Sequence, residues 1–351
     1  MAVQNTTAQP SASGSGTAAF DAFLEQRLGP YQAFNPVSRT QIWQWCSVMG
    51  ERSPLYLDAE YQRDTEFSGR GAVAPPAMLQ MWTMRDINDA HAPGSTDAHP
   101  YPHMQTLEAA GFLDNVAVGY DLHFHRYLTE GETVQHYKSV ASISSLKQTQ
   151  LGEGHFFTDK MEYLDGGGKC FAEAFITYFQ YRPIEGAMAA DAEQSSAAGA
   201  VEPKEDSWVP DYQDLDVSVL TPGVSLPTLA IPITHRLLVG GAIATQDFTP
   251  VHHDVPAARA AGMADIFMNI LTSCGLSARY LGDWAGPGSR LQRLSFKLMT
   301  PNFPGDVMRF QGRVSALERL DQGASIGLEF AGLNAAGPHI SGSAQLWLPG
   351  K

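Results

Sequence analysis

The chain has 351 residues, of which 23 are Lys or Arg and 37 are Asp or Glu, so its formal charge is −14. This acidity argues against a nucleic-acid-binding protein, because phosphate contacts need clustered cations. No apolar stretch approaches the roughly 20 residues of a membrane span, and the N-terminus does not resemble a signal peptide. Cys46, Cys170 and Cys274 are widely spaced, which fits neither a disulfide framework nor a metal motif. We therefore expect a cytoplasmic, globular protein.

Two segments poor in large apolar residues divide the chain. Residues 1–18 consist mainly of Ser, Gly, Ala and Thr and are predicted to be a disordered tail. Residues 185–208 are rich in Ala, Ser and acidic residues and are predicted to be a flexible linker. The prediction is therefore two domains, residues 19–184 and residues 209–351.

The two domains share a short pattern at a constant offset of 196 residues (250 − 54). The aligned pairs are Glu51 with Asp247, Pro54 with Pro250, Tyr56 with His252 and Asp58 with Asp254. About twenty residues later each copy has an apolar segment suited to a buried helix, at 76–85 and 269–280, and each then reaches a Gly-acid turn. Three features in the same order indicate a duplicated unit.

The remainder of each domain favours antiparallel strands. Runs rich in Val, Phe, Tyr, Ile and Thr between Gly turns predict strands at 116–127, 131–143, 155–163, 170–181, 290–299, 306–317, 324–333 and 340–348. The DGGGK run from Asp165 is predicted to be a hairpin turn. A helix followed by an antiparallel meander is an α+β arrangement in which the sheet wraps the helix.

Asp247 and His252 are the strongest candidates for catalysis. They are five residues apart across Pro250, in a turn that can bring both side chains to one small volume. A carboxylate beside an imidazole can hold a water molecule, with one group taking a proton and the other giving one, as addition of water to a polarised double bond requires. That reaction also needs an amide donor for the developing enolate oxygen, which the helix start near Asn269 can supply.

The segment DFTPVHHD resembles the hydratase motif of the MaoC-like (R)-specific enoyl-CoA hydratases, in which an Asp and a His five residues apart bind the attacking water. That motif usually reads G-D-x-N-P-L-H-x-D, so Thr249 replaces the Asn and Gln246 precedes the Asp. The resemblance implies a double hot-dog fold with a degenerate first half. It also implies that Asp247 and His252 are catalytic and that the backbone amide of Asn269 is the oxyanion donor.

Longer segments resemble the bacterial steroid side-chain enoyl-CoA hydratases. ATQDFTPVHHD, DIFMNILTSCGLSARYLGDWAGP and FPGDVMRFQGRV are similar to their catalytic subunit, whereas KQTQLGEGHFF and FQYRP are similar to the MaoC-like domain of the partner subunit. The resemblance implies both subunits fused in one chain and a hydro-lyase of steroid degradation that converts a 17(20)-enoyl-CoA into a 17-hydroxyacyl-CoA. It further implies no metal or organic cofactor, a homodimer of the fused chain, and contact with a downstream aldolase.

Alternatives stay open for several side chains. Arg290, Arg293, Lys297 and Lys147 are the candidate cations for the CoA phosphates, but spacing does not separate this role from simple solvation. Glu51 and Tyr56 are interpreted as a dead site, because Tyr is a poor substitute for a neutral imidazole. The apolar side chains of 76–85 either form core or line a wide tunnel for a bulky ligand.

The rival functions are a hydratase or dehydratase for a fatty or branched enoyl-CoA, a catalytically silent acyl-CoA or steroid-binding protein, and a hot-dog thioesterase. The intact Asp and His disfavour the silent protein, and a thioesterase needs a different acid-base arrangement.

Overall fold

The computed structural model describes residues 20–24, 26–183 and 207–350. Its helices are α1 (Asp21–Leu24), α2 (Arg39–Met49), α3 (Pro54–Leu57), α4 (Ala59–Arg63), α5 (Pro102–Ala109), α6 (His235–Thr245), α7 (Val255–Ala260) and α8 (Ile270–Ala285). Its strands are β1 (Leu28–Gln32), β2 (Asp114–Phe124), β3 (Val134–Ile143), β4 (Lys147–Gln148), β5 (Gly152–Asp165), β6 (Cys170–Pro183), β7 (Ser225–Pro232), β8 (Arg290–Leu298), β9 (Val307–Leu320), β10 (Gly323–Asn334) and β11 (Gly337–Pro349). Each predicted strand is present, with its ends within three residues of the predicted ones.

The predicted tail lies outside the described residues. So does the predicted linker, except for its last two residues, which already contact β7. Trp208 N donates to Thr228 O at 2.9 Å, and Ala230 N donates to Ser207 Oγ at 3.1 Å. Across the described parts of the chain, no helix is long and apolar enough to cross a bilayer.

One antiparallel sheet of eleven strands runs through both halves. Its order is β1-β3-β5-β6-β2-β8-β11-β10-β9-β7, with β4 beside β5. The second five strands of this path repeat the first five in reverse, so a pseudo-twofold axis passes between β2 and β8. Those two strands pair directly, with Tyr120 opposite Phe296 and Leu122 opposite Leu294. The two halves therefore share a sheet and a continuous apolar core.

The duplication is visible in the backbone beyond the short sequence pattern. Helices α2 and α6 are each 11 residues long and are capped at corresponding positions by Ser38 and Thr234. Asp58 and Asp254 likewise cap α4 and α7 through side-chain bonds to backbone amides, as Asp does at N-caps. The same offset of 196 therefore relates two copies of a helix, turn and helix.

The two halves differ in their central helix. The second half has the 16-residue α8. The prediction of a helix at 76–85 in the first half is wrong, because two short 3₁₀ turns, Pro76–Met78 and Gln80–Thr83, occupy that segment. A segment of ten residues is too short to hold a helix by its own hydrogen bonds. Burial of Met78, Met81 and Trp82 in the common core fixes its path instead.

Helix α8 packs closely against α2 of the other half. At Gly275, an added Cβ would lie 2.9 Å from Met49 Sδ and 2.9 Å from Trp45 Cζ2, so only glycine permits this approach. Leu271, Cys274 and the other inward side chains of α8 are almost fully buried. Helix α8 is therefore packed tightly against α2.

Candidate active site

The Asp247 and His252 side chains project from one short loop after α6. Gln246 ends this helix in the left-handed conformation, with φ 56°, and Asp247 N donates to Ala242 O at 3.0 Å. Pro250–His252 forms a single 3₁₀ turn immediately afterwards. Two consecutive tight turns thus bring both side chains to the same side of the loop.

The two functional groups face each other across a short gap. His252 Nε2 lies 3.6 Å from Asp247 Oδ2, and the two side chains are 12% and 14% exposed. This separation is too long for a direct hydrogen bond. It suits a water molecule that contacts both atoms.

The other ring nitrogen of His252 determines the tautomer. Nδ1 lies 2.9 Å from the carbonyl oxygen of Phe267, and since a carbonyl can only accept, Nδ1 carries the proton. Nε2 therefore presents its lone pair to the gap. Burial lowers the pKa of His252, and although the Asp247 carboxylate opposes this, the net shift is downward. The imidazole is accordingly neutral at pH 7 and suited to act as a base.

Thr249 orients the carboxylate of Asp247. Its hydroxyl donates to Asp247 Oδ1 at 2.7 Å, and its backbone N–H lies 3.3 Å from the same oxygen. Oδ2 is therefore left for the gap that His252 faces. Thr249, which differs from the Asn of the hydratase motif, still supplies a polar side chain to the carboxylate.

Asn269 links the start of α8 to the end of α6. Its Oδ1 accepts from Thr272 N at 2.7 Å, and its Nδ2 donates to Thr245 Oγ1 at 2.9 Å. Within the described residues its own backbone N–H has no acceptor, and it sits at the positive end of the helix dipole. An amide in this position can stabilise a developing oxyanion.

Comparison with known proteins places the chain in a family. The family described as FAS1-like, dehydratase domain region, matches residues 31–174. The beta subunit of the 3-oxo-4,17-pregnadiene-20-carboxyl-CoA hydratase of Mycobacterium tuberculosis is 37% identical over 124 residues, which are 35% of this chain and 93% of that subunit. The chain belongs to the MaoC-like hydratase family. Family membership confirms the predicted hydro-lyase class.

A second relative matches this chain over only part of the relative's own length. The alpha subunit of the hydratase of the same name from M. tuberculosis is 33% identical over 137 residues, which are 39% of the MaoC-like chain and 42% of that subunit. The chain thus spans less than half of this relative.

Solved structures share the fold over nearly the whole chain. A MaoC-like dehydratase superposes with a TM-score of 0.69 at 18% identity, covering 94% of this chain and 99% of the other. A protein of M. tuberculosis described as a double hot-dog superposes with a TM-score of 0.59 at 15% identity, covering 92% and 95%. The predicted α+β double hot-dog is confirmed.

In the first half of the MaoC-like chain, Glu51 and Tyr56 take the places of Asp247 and His252. Glu51 Oε1 accepts from Ser53 N at 2.7 Å, which matches the contact of Asp247 with Thr249. Burial raises the pKa of Tyr56 well above its usual value, so the phenol is a poor base. A small pocket lies beside these residues and is lined by both of them. This geometry supports the interpretation of a dead site.

The four candidate cations do not come together. Arg290 Nε lies 2.6 Å from Glu66 Oε1, and Arg293 Nη2 lies 2.7 Å from Asp121 Oδ2, so both guanidinium groups already hold a carboxylate. Lys297 on β8 and Lys147 on β4 are exposed, and neither makes an ion pair with another described residue.

Two tyrosines of the first half, Tyr101 and Tyr178, were not singled out from the sequence. Burial raises the pKa of Tyr101 to about 12, and the carboxylates of Asp159 and Asp247 add to this shift. Burial likewise raises the pKa of Tyr178, with the same two carboxylates contributing. No sequence spacing links these residues to a site some 70 to 150 positions away.

The pH dependence of the reaction should follow the lowered pKa of His252. Only the neutral imidazole accepts a proton, so kcat/KM should fall as pH drops through the His252 pKa, which burial holds below the usual 6.5. We expect kcat/KM to stay flat from pH 8 to 6.5 and to decline only below that range. Initial rates across a pH series test this, and a decline that begins above pH 7 would contradict the neutral-imidazole assignment.

Gln246 should be replaceable by Gly with a gain in stability. A side chain in the left-handed region costs about 1 to 2 kcal/mol, and the corresponding residue of the first half, with φ 68°, is Gly50. Gln246→Gly should therefore raise the free energy of unfolding by about 1 kcal/mol. The gain is smaller than the full cost of the left-handed conformation, because Gly loses more conformational entropy on folding than Gln does. Urea denaturation measures the change. Gly50→Ala is the matched reverse substitution and should be destabilising; the opposite pair of signs would contradict the explanation.

Proposed function

We propose that this protein adds water to the α,β double bond of a steroid side-chain acyl-CoA, converting a 17(20)-enoyl-CoA into the 17-hydroxyacyl-CoA. One observation carries the proposal: a single chain with one intact Asp-His pair is more than 30% identical to both the beta and the alpha subunit of a 3-oxo-4,17-pregnadiene-20-carboxyl-CoA hydratase. Residues 20–183 and 207–350 would then correspond to a fused pair of subunits.

In the proposed mechanism Asp247 and His252 hold the attacking water between them. His252 Nε2 takes one proton from this water while its oxygen bonds to the β carbon, which is ring carbon 17. The electron pair of the double bond moves to the thioester oxygen, and the Asn269 amide stabilises the resulting enolate. The imidazolium then returns its proton to the α carbon, so one water molecule is added and both new bonds form on the same face.

We propose that this chemistry requires no metal or organic cofactor beyond the CoA thioester, because the acid-base pair and an amide donor supply each step. Lys147 and Lys297 are the better candidates for contact with the CoA phosphates, since Arg290 and Arg293 are engaged with carboxylates. A cytoplasmic location fits the free thiols of the three cysteines.

We further propose a homodimer that contacts a downstream aldolase. The two M. tuberculosis relatives are named as subunits, so assembly is a property of those proteins. In this chain α2 and α6 lie side by side, and their outer faces expose Trp43 (61%) and Ile243 (60%), which is apolar surface available for association. Light scattering during size-exclusion chromatography gives the oligomeric state.

The direct test is loss of enoyl-thioester absorbance when the purified protein meets a short-side-chain steroid 17(20)-enoyl-CoA, with crotonyl-CoA in parallel. Mass spectrometry should show the gain of one water by the steroid ester. Turnover of crotonyl-CoA alone would retain the mechanism and replace the steroid by a fatty enoyl-CoA. Binding of both esters without turnover would indicate a silent binding protein, and release of free thiol would indicate a thioesterase.

A further inference from the structure

Thr245 is a fully buried residue at the end of α6, two positions before Asp247. Its hydroxyl makes hydrogen bonds in two directions. Thr245 Oγ1 donates to Gly241 O at 2.7 Å and accepts from Asn269 Nδ2 at 2.9 Å. One side chain therefore connects the helix that leads into the Asp247–His252 loop with the residue that begins α8.

The donors and acceptors around Asn269 permit one orientation of its side chain. Thr272 N can only donate, so the carboxamide oxygen faces it at 2.7 Å and the NH2 group faces Thr245. The single hydroxyl proton of Thr245 is used on Gly241 O, which leaves a lone pair of Oγ1 for Asn269. Without this hydroxyl, the NH2 group would lose its acceptor at a residue that is only 3% exposed.

The segment that carries the Asn269 amide is tied to the Asp247–His252 loop twice. Phe267 O lies 2.9 Å from His252 Nδ1, and two residues later the Asn269 side chain bonds to Thr245. The first contact fixes the segment against the imidazole. The second fixes it against the residue that precedes Asp247 by two positions. Together they hold the Asn269 N–H in one place relative to both groups.

Helices α6 and α8 also approach closely at this point. A Cβ added to Gly241 would lie 2.4 Å from Thr272 Oγ1, so a side chain there would displace Thr272 or the start of α8. In the first half, Met49 ends α2 as Thr245 ends α6 (245 − 196 = 49), and Met has no hydroxyl. The bridge to Asn269 thus belongs to the half that carries the Asp-His pair.

Helix stability alone does not account for the Thr245 hydroxyl. A Ser or Thr hydroxyl in a helix can bond to a carbonyl one turn back, and Ser277 of α8 does so, donating to Ser273 O at 2.7 Å. Such bonds satisfy the hydroxyl but slightly destabilise the helix. The bond that distinguishes Thr245 from Ser277 is the one to Asn269.

We infer that Thr245 is a positioning residue for the hydration: through the Asn269 side chain it holds the Asn269 backbone amide where the thioester oxygen gains charge. The inference rests on the proposed function, in which that amide stabilises the enolate. Thr245 is fully buried and acts only through this second residue. Because a misplacement of about 1 Å at a reacting group can cost about 10²-fold in rate, a hydroxyl behind the amide can control kcat.

Thr245→Val is the central variant, because Val has the shape of Thr without the hydroxyl. We expect kcat to fall at least fivefold with a smaller change in KM, since an oxyanion donor acts mainly in the transition state. Thr245→Ser restores the hydroxyl and should regain most of this loss. A fall of less than fivefold in Thr245→Val, or no recovery in Thr245→Ser, would overturn the inference.

Ser277→Ala is the matched control. It deletes an equally buried hydroxyl that bonds to a carbonyl one turn back, but this hydroxyl does not reach Asn269. Its kcat should stay within twofold of the wild type, and thermal unfolding shows whether the variants are equally folded. A loss of kcat in Ser277→Ala as large as that in Thr245→Val would assign the effect to packing and overturn the inference.

A double variant tests whether Thr245 acts through Asn269. Asn269→Ser keeps an oxygen that can cap α8 and removes the NH2 group that bonds to Thr245. Adding Thr245→Val to Asn269→Ser should therefore lower kcat by less than twofold further. A larger additional fall would overturn the inference.

Failure of the inference and failure of the proposed function give different results. An active wild type with an equally active Thr245→Val overturns the inference and leaves the hydratase intact. A wild type that hydrates neither the steroid ester nor crotonyl-CoA rejects the proposed function. Titration calorimetry then compares butyryl-CoA with S-butyl-CoA, a thioether that lacks the carbonyl oxygen. The wild type should prefer the thioester at least threefold and Thr245→Val should lose this preference; an equal ratio of Kd values in both proteins would overturn the inference.

Discussion

His252→Ala and Asp247→Asn are each expected to lower kcat by about 10³-fold, within the range of 10² to 10⁴ that a positioned acid or base contributes. Without the imidazole no group takes the proton of the water, and without the charged carboxylate the water is held from one side only. Stopped or continuous absorbance assays with the enoyl ester measure the fall in kcat. Binding of the ester should change little, because neither substitution alters the Asn269 amide.

Two controls isolate the chemistry. Tyr56→Phe changes the corresponding position of the first half and should leave kcat within twofold of the wild type. The unfolding free energy of His252→Ala should fall by only about 1 kcal/mol, the usual worth of the single hydrogen bond to Phe267 O. A fully active His252→Ala enzyme would contradict the mechanism.

Asp159→Ala is expected to have the largest effect on stability. It leaves Lys138 buried without a counter-charge, and breaking a buried ion pair in this way costs about 3 to 5 kcal/mol. Urea denaturation should show this loss. The Lys138→Met and Asp159→Asn double variant should recover most of it, because no unpaired charge remains. Equal instability of the single and double variants would contradict the explanation.

The loss of unfolding free energy in Asp159→Ala should become smaller as the pH rises. Burial lowers the pKa of Lys138 to about 8 even with Asp159 present, and loss of the carboxylate lowers it further. Between that value and the unfolded pKa of about 10.4, the unfolded chain binds more protons than the folded one. The contribution of Lys138 to stability in the variant should therefore improve as pH rises from 7 to 9, and denaturation at both values checks the sign.

The candidate pair could be singled out from the sequence because its signal is local. Asp247 and His252 lie on one loop with Pro250 between them, and the duplicated pattern at Glu51 and Tyr56 marks the same loop in the first half. A helix start near Asn269 was also predicted, and the structure shows that Asn269 is its N-cap. The sequence did not indicate the 3.6 Å separation of His252 Nε2 from Asp247 Oδ2. Nor did it indicate the tautomer of His252, which depends on the backbone carbonyl of Phe267.

The candidate cations for the CoA phosphates could not be resolved from the sequence, because their partners are distant in the chain. Arg290 and Arg293 look alike on a predicted strand, and both have formed ion pairs with carboxylates that lie about 170 to 220 residues away. Lys138 is the converse case. It lies in a predicted strand, but its partner Asp159 and its contact with Tyr101 depend on two further elements of the structure.

By itself the sequence determined the strand positions, the duplication, the hairpin from Asp165 and the loop that carries Asp247 and His252, because hydrophobic alternation, glycine turns and helix caps act within a few residues. Only the tertiary structure decided the path of 76–85 and the pairing of β2 with β8. Each of these follows from burial against partners distant in the chain. A ten-residue apolar segment carries too little helical energy of its own to resist such packing.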